Sequence, residues 1–248
     1  MEIHKIFTPV TGKASDDVMH RYARYFANKL DASLLGVHAS QRKSALTAKA
    51  ADLSLFSDFI RDCNAYGVAC ETRVCPDSWK TVLNDAASAD LVVFPFGQGF
   101  YSPDLKLEDV HFKPSRPLLC CPDHYIDVES IALAYDGSDN AKRALDLAVW
   151  LSEKAVWPLS VLMVVENQEQ GVCWMDEVEA FLDTLTINSA TIILPTPVDK
   201  ALHRFMQEGS VELLIMGTIG KQCPPTGSIG GTAASLLKIA NYPLLMVS

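Results

Sequence analysis

Short, nearly unbroken apolar runs alternate along this chain with longer stretches whose apolar positions fall three and four residues apart. The second half shows the pattern most cleanly. Ile131-Ala132-Leu133-Ala134-Tyr135 is one such run, and it ends at Asp136-Gly137-Ser138. A continuous apolar run closed by turn residues predicts a buried strand. Ser138 or Asp139 can cap the next segment, 140–154, where Ala144, Leu147, Ala148 and Leu151 recur at helical spacing. The same reasoning predicts strands at 159–165, 190–194, 213–216 and 243–247, and helices at 175–185, 198–208 and 232–240. Pro197 precedes the second of these helices, and Gly209 reads as its stop.

The first half repeats this order. Strands are predicted at 6–10, 32–38, 70–74, 91–94 and 117–121, with helices at 16–30, 44–65 and 78–87. Arg116-Pro117-Leu118-Leu119 echoes Tyr242-Pro243-Leu244-Leu245, about one small domain further on. The expected organisation is therefore a duplication, with domains at 1–122 and 128–248 joined by a polar linker over 122–129. Continuously apolar strands alternating with helices predict a parallel sheet covered on both faces. Right-handed crossovers make each half an α/β, Rossmann-like, doubly wound unit.

Composition narrows the function classes. The 248 residues carry a net charge of −9, which disfavours non-specific binding to nucleic acid phosphates. No apolar stretch approaches the roughly 20 residues that span a bilayer, and the start lacks a basic segment leading into an apolar run. The expectation is a cytoplasmic protein without a membrane role. Seven cysteines, several inside apolar runs, read as buried reduced thiols.

In a doubly wound sheet, ligands gather beyond the carboxyl ends of the strands. For the second half those ends are Asp136, Val165 and Gly217. Gly217-Thr218-Ile219-Gly220 is followed, after nine residues, by Gly230-Gly231 and a helix. Glycines admit close approach of an anion to the backbone, and a helix start offers unpaired N–H groups. Together they form a candidate phosphate cradle. The spacing fits neither GxGxxG nor GxxxxGK[ST], and a ligand-free glycine-rich connection is the competing reading. Asp136 can face a ribose or adenine, or simply make an Asp-Gly turn or helix cap.

These residues carry a resemblance. Residues 128–248 resemble a universal stress protein domain, and residues 1–122 do so more weakly. That family's first strand ends in Asp-Gly-Ser, matched by Asp136-Gly137-Ser138, and its ATP-binding members show Gly-x2-Gly-x9-Gly-Ser/Thr, matched by Gly217, Gly220 and Gly230. The resemblance implies two tandem Rossmann-like (adenine nucleotide alpha hydrolase-like) domains, each a five-stranded parallel sheet of order 3-2-1-4-5. It implies that ATP, or ADP or AMP, binds through Asp136, Val165, Gly217, Gly220, Lys221, Gly230, Gly231 and Thr232. It further implies a regulatory protein partner, a pseudo-dimer of the two halves, and pairing of two chains.

Two departures stand out. The family's final Ser/Thr is Gly231 here. Sliding the gap pairs Gly231-Thr232 with the motif instead, but shortens the distance to Pro243 by one residue. Lys221 is the one basic residue between Gly220 and Gly231, so a triphosphate receives little charge compensation. In the first half, Thr11 stands in place of the Asp, Gly97 and Gly99 fall out of register, and Asp104-Leu105 lies where the Gly-Ser pair belongs. That half reads as a structural partner.

No zinc or redox spacing links Cys70, Cys75, Cys120 and Cys121, no paired-ligand spacing links the histidines, and no GxSxG occurs. Trp174 reads either as a lid over the nucleotide or as helix packing. Mg could accompany the nucleotide, but no protein ligand for it is identified. Without paired carboxylates, phosphoryl transfer has no visible machinery, so binding is favoured over catalysis, with weak ATP hydrolysis at most. Three readings remain: a nucleotide-binding stress-response protein, a nucleotide-independent scaffold, and an enzyme of the related hydrolase or ligase superfamily, ranked last.

Overall fold

The computed structural model describes residues 2–12, 16–40, 45–76, 86–95, 116–165, 168–209, 211–218 and 230–248. The chain divides into two compact units, Glu2–Tyr125 and Ile126–Ser248.

The first unit contains β1 (Lys5–Pro9), α1 (Asp16–Leu30), β2 (Ser33–Ser40), α2 (Ala45–Ala65), β3 (Cys70–Pro76), β4 (Leu91–Pro95) and β5 (Leu118–Cys121). All strand pairs in it are parallel, in the order β3-β2-β1-β4-β5. Ile6, Phe7, Leu34, Leu91 and Leu119 are fully buried in its sheet. Tyr22, Phe26 and Met19 pack from α1. The helix expected at 78–87 lies largely outside the described residues.

The second unit contains β6 (Ile131–Tyr135), α3 (Asp139–Ala155), β7 (Leu159–Val164), α4 (Gln168–Leu182), β8 (Ser189–Leu194), α5 (Val198–Glu208), β9 (Leu213–Gly217), α6 (Gly231–Ile239) and β10 (Leu244–Val247). Its strands run β8-β7-β6-β9-β10, again all parallel. Numbered within the unit, that is 3-2-1-4-5. The α/β parallel architecture expected from continuously apolar strands is thus present in each half.

Three local differences from the sequence reading have physical causes. Helix α4 begins at Gln168, seven residues before the predicted start. Gly171 reads as a breaker, yet a Cβ there would lie 2.7 Å from Val165 Cγ2, so glycine lets the helix pack against the strand end. Gly209 does stop α5, but in an extended conformation (φ −88°, ψ 162°) rather than a left-handed one. A Cβ there would sit 2.7 Å from the Phe205 carbonyl oxygen. The segment after β5 has no regular structure and is tied to the first unit, where Arg21 stacks 3.7 Å from the Tyr125 ring centroid and Tyr22 packs beside it.

Candidate functional site

Strand register brings the expected site residues of the second unit to one end of the sheet. Tyr135 pairs with Met163, Ala134 with Met216, and Gly217 with Val247. Asp136, Val165 and Thr218 therefore follow directly on neighbouring strand ends.

The turn after β6 is built by its own side chains. Asp136 Oδ1 accepts from the Ser138 N–H at 3.0 Å. Gly137 adopts φ +68°, a conformation that favours glycine. Ser138 is the N-cap of α3, and its hydroxyl oxygen accepts from the Ala141 N–H at 3.1 Å. The turn-and-cap role weighed for the Asp-Gly-Ser sequence is what this geometry shows.

Gly217 has a packing reason. A Cβ there would lie 3.0 Å from Asn140 Cβ and 3.1 Å from the Ala141 backbone nitrogen. The first turn of α3 thus crosses β9 so closely that a side chain would press on helix backbone. Thr218, not singled out from the sequence, is fully buried. Its N–H donates to the Val247 carbonyl at 2.9 Å, and its hydroxyl donates to the same oxygen at 3.2 Å. Its own carbonyl accepts from the Gly230 N–H at 2.9 Å. One residue therefore ties the end of β9 to β10 and to the start of α6. The signal was present in Gly217-Thr218-Ile219-Gly220, but the glycines drew the attention.

Gly230 is the N-cap of α6, and no side chain caps this helix. With its N–H given to Thr218, Gly230 contributes no free amide to an anion. Gly231 opens the helix, is exposed, and has no atom within 4 Å of where its Cβ would be. Thr232 follows in the first turn, half-buried. Gly220 and Lys221 lie outside the described residues. Among the described residues, no group of three or more His, Cys, Asp or Glu side chains could hold a metal ion.

The Trp174 ring meets Tyr135 edge-on, with centroids 6.4 Å apart and planes at 88°. Burial, then the charges of Glu177 and Asp136, pushes the Tyr135 phenol above its ordinary range. Trp174 and Glu177 on α4 thus flank the strand end that carries Asp136.

The remaining candidates resolve into packing. Cys120 and Cys121 are fully buried, and burial pushes both thiols well up, so they are inert at neutral pH. Cys63 is raised to about 12, chiefly by burial and then by neighbouring Cys70. His38 and His203 hydrogen-bond to the Val10 carbonyl and the Tyr242 hydroxyl. None of the described helices is long and apolar enough to cross a membrane.

No family model matches the chain. A universal stress protein of Synechocystis is 26% identical over 132 residues, which is 52% of this chain and 46% of that protein. The matched stretch thus spans under half the length of that curated relative. A universal stress protein from Archaeoglobus fulgidus superposes on the whole chain, with a TM-score of 0.82 at 15% identity, covering 100% of this chain and 99% of that one. A putative universal stress protein from Pseudomonas aeruginosa gives 0.73 at 13% identity, covering 99% and 93%.

Proposed function

Taking the chain as a tandem universal stress protein, the recognition that its sequence match and its whole-length fold both support, we propose that it is a stress-response regulatory protein whose C-terminal unit binds ATP or another adenine nucleotide. The observation that carries this reading is the start of α6. That helix has no side-chain cap and opens on Gly231, with free space where a side chain would stand. Unpaired N–H groups and the helix dipole favour an anion there.

In this reading the N–H groups of Gly231 and Thr232 hold a phosphate. Asp136 lies across the neighbouring strand end, where its carboxylate can accept from a ribose hydroxyl as well as from Ser138. Trp174 and Tyr135 supply an aromatic wall for a base. Gly217 and Gly230 support the site indirectly, Gly217 through helix packing and Gly230 through its bond to Thr218. Lys221 belongs to the proposal as the nearest basic residue in sequence. Regulation through binding, rather than turnover, follows because no described cluster of carboxylates accompanies the site.

The test is direct. The purified full chain is mildly denatured and the released small molecules are separated and identified. ATP, ADP or AMP in near-stoichiometric amount supports the reading. A protein that releases none, and takes up none on titration, returns it to a nucleotide-independent scaffold.

A further inference from the structure

The described cavity lies in the first unit, away from any glycine-rich loop. It has a volume of about 360 Å³ and opens between α1 and α2, beyond the carboxyl end of β1. Its polar lining comes from two helical series of i, i+4 spacing, Asp16-His20-Arg24 on α1 and Asp58-Asp62 on α2, with Asp17 beside them. Val10, Leu55 and Phe59 supply an apolar wall.

The charges do not cancel. Four carboxylates line the cavity against one guanidinium, that of Arg24. Arg24 is already placed, with Nη1 3.8 Å from Asp62 and its Cζ 5.4 Å from the Tyr66 ring centroid. Arg61 reaches Asp58 and Asp62 from the exposed side of α2, where ion pairing is weak. Asp16 is committed to the turn after β1, accepting from the Thr11 and Gly12 N–H groups and the Thr11 hydroxyl. Asp17 has no hydrogen bond or ion pair among the described residues.

His20 supplies a second, independent observation. It is 7% exposed and packs edge-on against Phe59. Its Nε2 lies 2.8 Å from the Pro9 carbonyl. A carbonyl can only accept, so Nε2 carries the proton. Burial, against the opposing pull of that hydrogen bond and of Asp16, holds the imidazole below its ordinary value and therefore neutral. Nδ1 is then a bare acceptor with no hydrogen-bond partner among the described residues. A buried acceptor without a donor calls for a donor in the cavity.

We propose that this cavity binds a small aliphatic organic cation bearing at least two amine groups. One ammonium donates to His20 Nδ1 and a second meets Asp17 and Asp58 at the mouth, while the methylene stem lies against Val10, Leu55 and Phe59. An anion is disfavoured by the carboxylates. A bare metal ion is disfavoured because no three ligating side chains converge among the described residues. A cation with separated charges matches carboxylates that are spread along two helices. The inference is independent of nucleotide binding in the other unit.

Calorimetric titration of spermidine and putrescine into the full chain tests it. The expected result is saturable binding at one site per chain, weakened about tenfold in Asp17→Asn/Asp58→Asn, since each exposed ion pair contributes modestly. Both residues are exposed, so the double variant keeps its unfolding midpoint. The control variant, Glu153→Gln/Asp183→Asn, removes two exposed carboxylates from the second unit and binds like the parent. Absence of saturable binding overturns the proposal. Equal weakening in both variants also overturns it, because it reports diffuse attraction to a chain of charge −9. Stoichiometric displacement of the amine by Mg²⁺ does so as well, by revealing a metal site.

Discussion

The turn after the first strand is made twice in this molecule, and the two halves make it with carboxylates from opposite sides. In the second unit the acid is Asp136 on the strand end, and it accepts from Ser138 across the turn. In the first unit the strand end carries Thr11, and the acid is Asp16, the first residue of α1, reaching back to Thr11 and Gly12. Each turn contains a glycine of positive φ, Gly12 at +75° and Gly137 at +68°. The backbone shape is thus retained while the chemistry that holds it is redistributed. Moving the acid into the helix buries it, for Asp16 is only 4% exposed while Asp136 stays half-buried. It also leaves an acidic, His-lined cavity in one half and an open helix start in the other.

The contrast can be broken most severely at Asp16. Asp16→Ala removes three short hydrogen bonds of 2.6–2.8 Å. It should cost about 3 kcal/mol in urea unfolding of the full chain, whereas Asp136→Ala, which loses one bond, should cost about 1 kcal/mol. Equal costs would mean that the two turns are not held differently. Gly217→Val comes next, at about 2 kcal/mol, because its added atoms press on the backbone of α3. A thermal melt unchanged by that substitution would show that α3 can yield. Ser138→Ala removes the cap of α3 and should cost about 1 kcal/mol, read from the same unfolding curves.

The smallest effect is a pH slope. Burial lowers the pKa of His20 in the folded chain, so the unfolded chain takes up the proton first. The stability this group contributes is complete above the ordinary imidazole value of about 6.5 and is lost as pH falls below it. Asp16, Asp17 and Arg24 face the ring and act on both variants alike. His20→Phe should flatten the fall in unfolding free energy between about pH 7 and pH 5 relative to the parent. A slope as steep as the parent's would place the titrating group elsewhere.

Much of this architecture is legible in the sequence because parallel strands buried on both faces are written as unbroken apolar runs. The run 131–135 and the segment 198–208 coincide with β6 and α5. The glycines were harder. Gly171 looks like a helix breaker and Gly217 like an opening for phosphate, yet both serve close packing of helix against strand. Sequence shows that a side chain is missing but not what occupies its place. The Asp16-His20-Arg24 series was available as i, i+4 spacing. It stayed silent because its meaning depends on α2 supplying Asp58 and Asp62 opposite.

The central claim is that main-chain amides at the start of α6 receive a phosphate. Gly231 offers the sharpest probe, since nothing packs where its side chain would stand. Titration of ATP into the full chain and into Gly231→Val, each with its unfolding midpoint recorded, measures this directly. The account predicts saturable binding by the parent and its loss in a variant that remains as stable. Binding of equal strength in both, or none in the parent, would contradict it.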